Sequence, residues 1–226
     1  MIRAVIFDFD GVIANSEPLH FAAFRDVLLQ QGVILSEQDY YGRYLGYDDA
    51  GVFRHVSSDR GRRWSDDGVT ELVERKAARL EEIERDAPAL FPGAESAIRR
   101  LAATLPLAIA SGARRVEIQQ VLERSRLARY FGAIVGAEDV HASKPAPDPY
   151  LRAVSLLAAA VGQSLAPTEC AAVEDSRWGI ESARAAGLHT IAVTHTYPAA
   201  ELDCAELVIT TLDALDLAML GKIVTI

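Results

Sequence analysis

Short apolar runs recur along the chain, each stopping at a polar or glycine-containing turn: "IRAVIF" at 2–7, "LAIA" at 107–110, "AIVG" at 133–136, "CAAV" at 170–173, "TIAV" at 190–193 and "LVI" at 207–209. Unbroken runs of this length, without polar alternation, read as strands covered on both faces. Between them lie stretches with helical spacing of apolar positions, "AESAIRRLAAT", "RRVEIQQVLERS", "PYLRAVSLLAAAV" and "RWGIESARAAG", the last closed by Gly187 as a helix C-cap. Strand and helix in alternation predict an α/β fold built on a parallel sheet.

Residues 17 to about 87 break the alternation. Two long amphipathic stretches, "PLHFAAFRDVLLQQG" and "DDGVTELVERKAARLEEIER", flank a Gly- and Tyr-rich segment, which predicts an inserted helical cap. The density of charge in the second stretch reads as a solvated face. "FPGAESA" returns the chain to the α/β pattern through a Pro-Gly turn. The expected division is a core of 1–15 and 88–226 with a cap of 16–87.

Composition narrows the classes. Half of the 226 residues are hydrophobic and the formal net charge is -9, so a buried core is expected and a basic nucleic-acid surface is not. The apolar stretches are too short or interrupted to span a bilayer, and the N-terminus lacks a signal-like pattern, so the expected compartment is the cytoplasm. Cys170 and Cys204 lack the spacing of a zinc site or a disulfide framework and read as ordinary thiols.

In open parallel sheets, ligands sit beyond the carboxyl ends of the strands. The residues just after the apolar runs are Asp8 and Asp10, Ser111 and Gly112, and Glu174 and Asp175, with Lys144 following the third run. Converging carboxylates repel unless a cation joins them, and an all-oxygen donor set suits Mg²⁺. Such an ion beside a lysine and a hydroxyl matches a phosphoryl group. The plain alternatives are an acidic turn for "DFDG", an exposed loop cation for Lys144, and helix caps for Ser111 and Ser176.

The ordered motifs "DFDGV", "IASG", "SKPAPDPY" and "VEDSRWG" resemble those of the haloacid dehalogenase-like hydrolase superfamily, in its β-phosphoglucomutase-like and phosphoglycolate-phosphatase-like branch. The resemblance implies a Rossmann-like core with helices on both faces and a small α-helical cap. It implies Asp8 as nucleophile and metal ligand, and Asp10 as general acid and base that also meets the metal through its backbone carbonyl. Ser111 and Gly112 are expected to hold phosphate, Lys144 to neutralise charge and orient Asp8, and Asp175 to complete a Mg²⁺ site, with Glu174 either a ligand or a partner that supports the ligands. Ser16 and His20 match positions that help place the acid/base residue in related mutases. The hinges of cap closure are expected near 14–17 and 86–90.

The segment "GRYLGYDDAGVFR" at 42–54 resembles the loop that selects substrate in this branch, which implies Gly46 as a substrate-binding residue. Leu45 and Asp49 stand where the mutases resemble a Lys and an Arg, which favours a monophosphate substrate. Lys76 matches a cap lysine of the mutases, and Arg43 and Arg54 flank the loop, so a second phosphate stays open. The expected activity is Mg²⁺-dependent phosphatase action on a small phosphorylated metabolite, with a sugar phosphomutase, a carbon-halogen hydrolase and a non-catalytic phosphometabolite sensor as alternatives. The expected partner is that metabolite, without nucleic acid or membrane, in a monomer or weak homodimer. Trp64 and Trp178 read as packing residues; His55, His141, His189 and His195 carry no assignment.

Overall fold

The computed structural model describes residues 1–45, 47–86 and 90–223. In chain order the elements are β1 (Ala4–Phe7), α1 (Glu17–Gln30), α2 (Glu37–Asp39), α3 (Asp49–Asp59), α4 (Asp66–Asp86), α5 (Ala94–Ala102), β2 (Leu107–Ala110), α6 (Arg115–Arg124), β3 (Phe131–Val135), α7 (Asp148–Val161), β4 (Cys170–Glu174), α8 (Arg177–Ala185), β5 (His189–Val193), β6 (Leu207–Ile209) and α9 (Leu217–Ile223). The chain forms two units, one of Met1–Asn15 with Leu90–Ile226 and the other of Ser16–Ala89.

Among the described residues of the first unit, six strands make one parallel sheet in the order β3-β2-β1-β4-β5-β6. Successive side chains of each strand go to opposite faces, and both faces are covered. Val5, Phe7, Leu107, Ile109, Ala171 and Val173 join a core shared with α5, α6 and α9. The alternate residues Ala4, Ile6, Ala108, Ala110, Cys170 and Ala172 meet α7 and α8. That second face is mostly small, so α7 can lie close to the sheet: a Cβ at Gly132 of β3 would stand 2.9 Å from Leu157 of α7. The Rossmann-like α/β core with helices on both faces is therefore present, and each apolar run is a strand.

The Ser16–Ala89 unit has its own core, in which Phe24, Val27 and Leu28 of α1 meet Val52, Phe53 and Val56 of α3 and Val69 and Leu72 of α4. The segment read as a loop at 42–54 is largely helical. A π-helical turn covers Tyr40–Tyr44, and α3 starts at Asp49 because the Asp48 side chain accepts from the Gly51 amide at 2.7 Å. Gly46 and residues 87–89 of the second hinge expected near 86–90 lie outside the described residues. Among the described residues no helix is long and apolar enough to cross a membrane.

Candidate active site

Sheet register brings the predicted chemistry together. Phe7 pairs with Ile109 on one side and Val173 on the other, so the next residues, Asp8, Ala110 and Glu174, come level at the same sheet edge. Asp8 keeps to the ladder, its amide donating to the Val173 carbonyl at 2.9 Å. The chain then closes a tight loop, with the Ile13 and Ala14 amides on the Phe9 carbonyl at 2.8 Å and the Gly11 amide on the Ala14 carbonyl at 3.0 Å. Gly11 has φ +78°, and a Cβ there would sit 1.9 Å from Asp175 Oδ2. Glycine is required on both counts. The loop separates the two N-terminal carboxylates: Asp8 is buried and Asp10 exposed.

Lys144, from the loop between β3 and α7, donates to Asp8 Oδ1 at 2.5 Å and to Glu174 Oε1 at 2.6 Å. The Tyr150 hydroxyl donates to the same Glu174 oxygen at 2.7 Å, and its ring centre lies 5.1 Å from the Lys144 ammonium. The other oxygen, Oε2, accepts from the Asp175 amide at 3.3 Å and Ser176 Oγ at 3.2 Å. Ser176 also caps α8, accepting from the Gly179 amide at 3.2 Å. A Cβ at Gly179 would fall 1.9 Å from the Glu174 carboxyl.

Burial pushes the Asp8 carboxyl well above its usual range, with Lys144 opposing and Glu174 and Asp175 reinforcing the rise. Burial likewise raises Asp175 to about 6, against a hydrogen bond from Thr196. For Lys144, burial disfavours the cation, but Asp8 and Glu174 outweigh it and hold the ammonium above its ordinary value. One lysine thus faces three acidic groups. Oxygens of Asp8, Glu174 and Asp175 lie within 4.8 Å of one another, a hard all-oxygen set whose residual negative charge fits a divalent cation.

Ser111 is buried, and its hydroxyl accepts from the Ala113 amide at 3.0 Å, which closes the turn after β2. It does not cap α6, whose N-cap is Arg114. Gly112 is exposed. In the helical unit, Ser16 stands at the N-cap of α1 without a side-chain capping bond. Lys76 is only 1% exposed, so this cation lies off the solvated face of its amphipathic helix. Its ammonium donates to both Asp49 oxygens at 2.9 and 3.0 Å and to His20 Nδ1 at 3.0 Å, 4.7 Å from the Phe24 ring centre. Burial and the Lys76 charge lower the His20 pKa, so the imidazole accepts as the neutral base.

Trp64 packs edge-on against Phe53, but Trp178 is 57% exposed and is no packing residue. Its position in the first turn of α8 lies off the face formed by Gly179, Ile180, Ser182 and Ala183. Tyr150 and Thr196 carry contacts that the motif reading passes over. A signal for Tyr150 exists in the chain, since it shares the helical spacing of Ala153, Val154 and Leu157, and a hydroxyl on a core-facing stripe needs a buried partner.

A family model described as haloacid dehalogenase-like hydrolase matches residues 5–193. Protein CbbY of Rhodobacter capsulatus is 34% identical over 205 residues, covering 87% of this chain and 87% of that protein. Hexitol phosphatase B of Escherichia coli K12 is 32% identical over 194 residues, 85% of this chain and 83% of that protein. A crystal structure from Thermotoga maritima, assigned provisionally as a β-phosphoglucomutase, superposes with a TM-score of 0.82 at 26% identity over 98% of this chain and 99% of the other. With its ordered motifs, parallel core and acidic strand ends, the chain belongs to the haloacid dehalogenase-like hydrolases, in their phosphoglucomutase- and phosphatase-like branch.

Proposed function

We propose that the protein is a Mg²⁺-dependent phosphatase that hydrolyses a small phosphorylated metabolite, such as a sugar or polyol phosphate, through an aspartyl-phosphate on Asp8. The observation that carries the reading is the Lys144 ammonium held between Asp8 and Glu174 beside Asp175. Relatives named as phosphatases of phosphorylated carbohydrates support the substrate class. Asp8, Glu174 and Asp175, with the Asp10 carbonyl, would hold Mg²⁺. Bound there, the ion would neutralise phosphoryl oxygens and the carboxylates that face them.

Asp8 attacks phosphorus in line as the ester bond to the leaving oxygen breaks, and Asp10 gives that oxygen its proton. Asp10 then takes a proton from water, whose oxygen attacks the same phosphorus. Inorganic phosphate leaves and the Asp8 carboxylate is restored. Lys144 keeps Asp8 oriented and offsets charge on the transferring group, while Ser111 and the Gly112 amide take phosphate oxygens. The exposure of Asp10 and the burial of Asp8 support this division of labour.

A sugar phosphomutase is the second reading, because Lys76 is present in the helical unit. Its charge is already committed to Asp49, as Arg43 is to Asp59 at 2.6 Å, while Arg54 meets Asp66 only in a loose surface pair at 3.4 Å. Cations bound to internal carboxylates grip a second phosphate weakly, which supports hydrolysis of a monophosphate. The decisive experiment is release of phosphate from an aryl phosphate with and without Mg²⁺, by the unmodified protein and by Asp8→Asn. Mg²⁺-dependent turnover that falls at least about a thousandfold in Asp8→Asn is expected; no turnover across a phosphate-ester panel would refute the reading. With β-glucose 1-phosphate and a bisphosphate primer, phosphate release should outrun formation of glucose 6-phosphate.

A further inference from the structure

The loop that carries Asp10 is held from outside by the chain after β5. His195 Nδ1 lies 3.0 Å from the Gly11 carbonyl, and because a carbonyl only accepts, Nδ1 bears the proton. The imidazole stacks on Phe91 at 4.0 Å between ring centres and 13° between planes. Phe91 is itself tied to the far end of the same loop, its amide donating to the Ile13 carbonyl at 3.0 Å. His195 therefore holds one end of the turn around Asp10 directly and stacks on the residue whose backbone holds the other.

The next residue works on the metal side. Thr196 hydrogen-bonds Asp175, and its Oγ1 lies 2.9 Å from where a Gly11 Cβ would stand. The segment bearing both residues is anchored to the sheet, the Thr194 amide donating to the Ile209 carbonyl at 3.0 Å. Consecutive residues thus hold the acid–base turn and a metal-site carboxylate from one segment tied to the sheet. Packing alone would be met by any aromatic ring at 195; what an imidazole adds is the donor to Gly11. That donor persists whether or not Nε2 is protonated, so the clasp does not depend on titration.

We propose that His195 is a positioning residue for this reaction: its Nδ1–H fixes the Gly11 carbonyl and so aims Asp10 at the leaving oxygen. The proposal rests on the phosphatase reading, in which Asp10 is the acid. It predicts a loss that depends on how much the leaving group needs a proton. A primary alkyl phosphate expels a strongly basic alkoxide, whereas 2,4-dinitrophenyl phosphate expels a phenolate that is stable without one.

The test compares kcat/KM for these two esters, with saturating Mg²⁺, in the unmodified protein, His195→Phe, His195→Ala and His195→Asn. The Phe variant keeps the ring on Phe91 and loses the donor; the Asn variant places an amide N–H near the lost Nδ1–H. In His195→Phe and His195→Ala, kcat/KM for the alkyl ester should fall about tenfold, and that for the dinitrophenyl ester less than about threefold. His195→Asn should recover most of the ratio. Thermal midpoints identify folded variants, and one folded donor-less variant suffices. Equal losses on both esters, or an unchanged ratio, would overturn the positioning role while leaving the phosphatase reading intact. Failure of the unmodified protein to hydrolyse either ester would instead overturn that reading, and this proposal with it.

Discussion

Lys144 and Tyr150 converge on one oxygen of Glu174, and the Lys144 ammonium reaches Asp8 as well. Two charge-assisted contacts outweigh the cost of burying the cation, which is why its pKa rises despite burial. The Tyr150 hydroxyl contributes a hydrogen bond to a charged acceptor without adding charge of its own. Tyr150→Phe should therefore keep the fold while costing about 1–2 kcal/mol, since Glu174 retains Lys144 as a partner. For a chain of this size a melt should register that as a fall of roughly 3–6 °C. If Glu174 helps to hold Mg²⁺, the concentration of Mg²⁺ giving half-maximal activity should rise about tenfold in the same variant; an unchanged Mg²⁺ titration would separate Glu174 from the ion. Ser111 was legible as a strand-end residue, because a polar residue stopping an apolar run stands out in the chain, whereas Lys144, nine residues past the end of β3, was legible through the motif "SKPAPDPY". Tyr150 showed in the chain only as a hydroxyl on the core-facing stripe of a helix, without its partner, because Glu174 ends a strand 24 residues further on.

At the scale of elements, α8 shows local preference yielding to a close approach. Ser176 caps its N-terminus, as "EDS" suggests, and Gly179 sits in its first turn. Helix propensity alone would make Gly179→Ala stabilising by about 1 kcal/mol. The new Cβ would meet the Glu174 carboxyl at 1.9 Å, an overlap that must displace Glu174 or the start of the helix. Overpacking of this kind costs roughly 1–3 kcal/mol and wins. Gly179→Ala should melt at a lower temperature and need more Mg²⁺ for activity; a higher melting temperature with unaltered Mg²⁺ response would contradict the proposed role of the glycine. Helices and strands of the core were predictable because their periods are carried by neighbouring residues. The helix Asp49–Asp59 was missed because its start rests on a cap, Asp48 to Gly51, inside a stretch rich in Gly and Tyr that reads as a loop.

The whole molecule concentrates acid at one end of its sheet, and this couples stability to pH. Asp175 binds its proton more tightly folded, near pH 6, than unfolded, near 3.8. Between those values the native state holds more protons than the unfolded one, so stability falls as pH rises through that window. For Asp175 the loss is on the order of 3 kcal/mol, and the raised Asp8 adds in the same direction. Above pH 6 the metal-free protein should carry the full Asp175 penalty, and Mg²⁺ at pH 7 should offset it by binding the ionised carboxylates. Melting with EDTA at pH 5 and pH 7, for the unmodified protein and Asp175→Asn, checks this: the substitution should weaken the fall toward pH 7. An identical pH dependence in both proteins would remove Asp175 as its source.

The amino-acid order alone determined the layered α/β core, the helical insertion and the acidic strand ends, because apolar period and turn chemistry lie in residues close along the chain. It could not determine which charges neutralise one another. Lys76 with Asp49, Tyr150 with Glu174, and His195 with Gly11, 184 residues apart, meet only through strand register and helix packing. Those pairings exist once distant backbone segments are fixed against each other, and no local pattern encodes them. Tertiary structure therefore decided that the helical unit's lysine is already occupied and that a histidine without any motif holds the loop bearing Asp10.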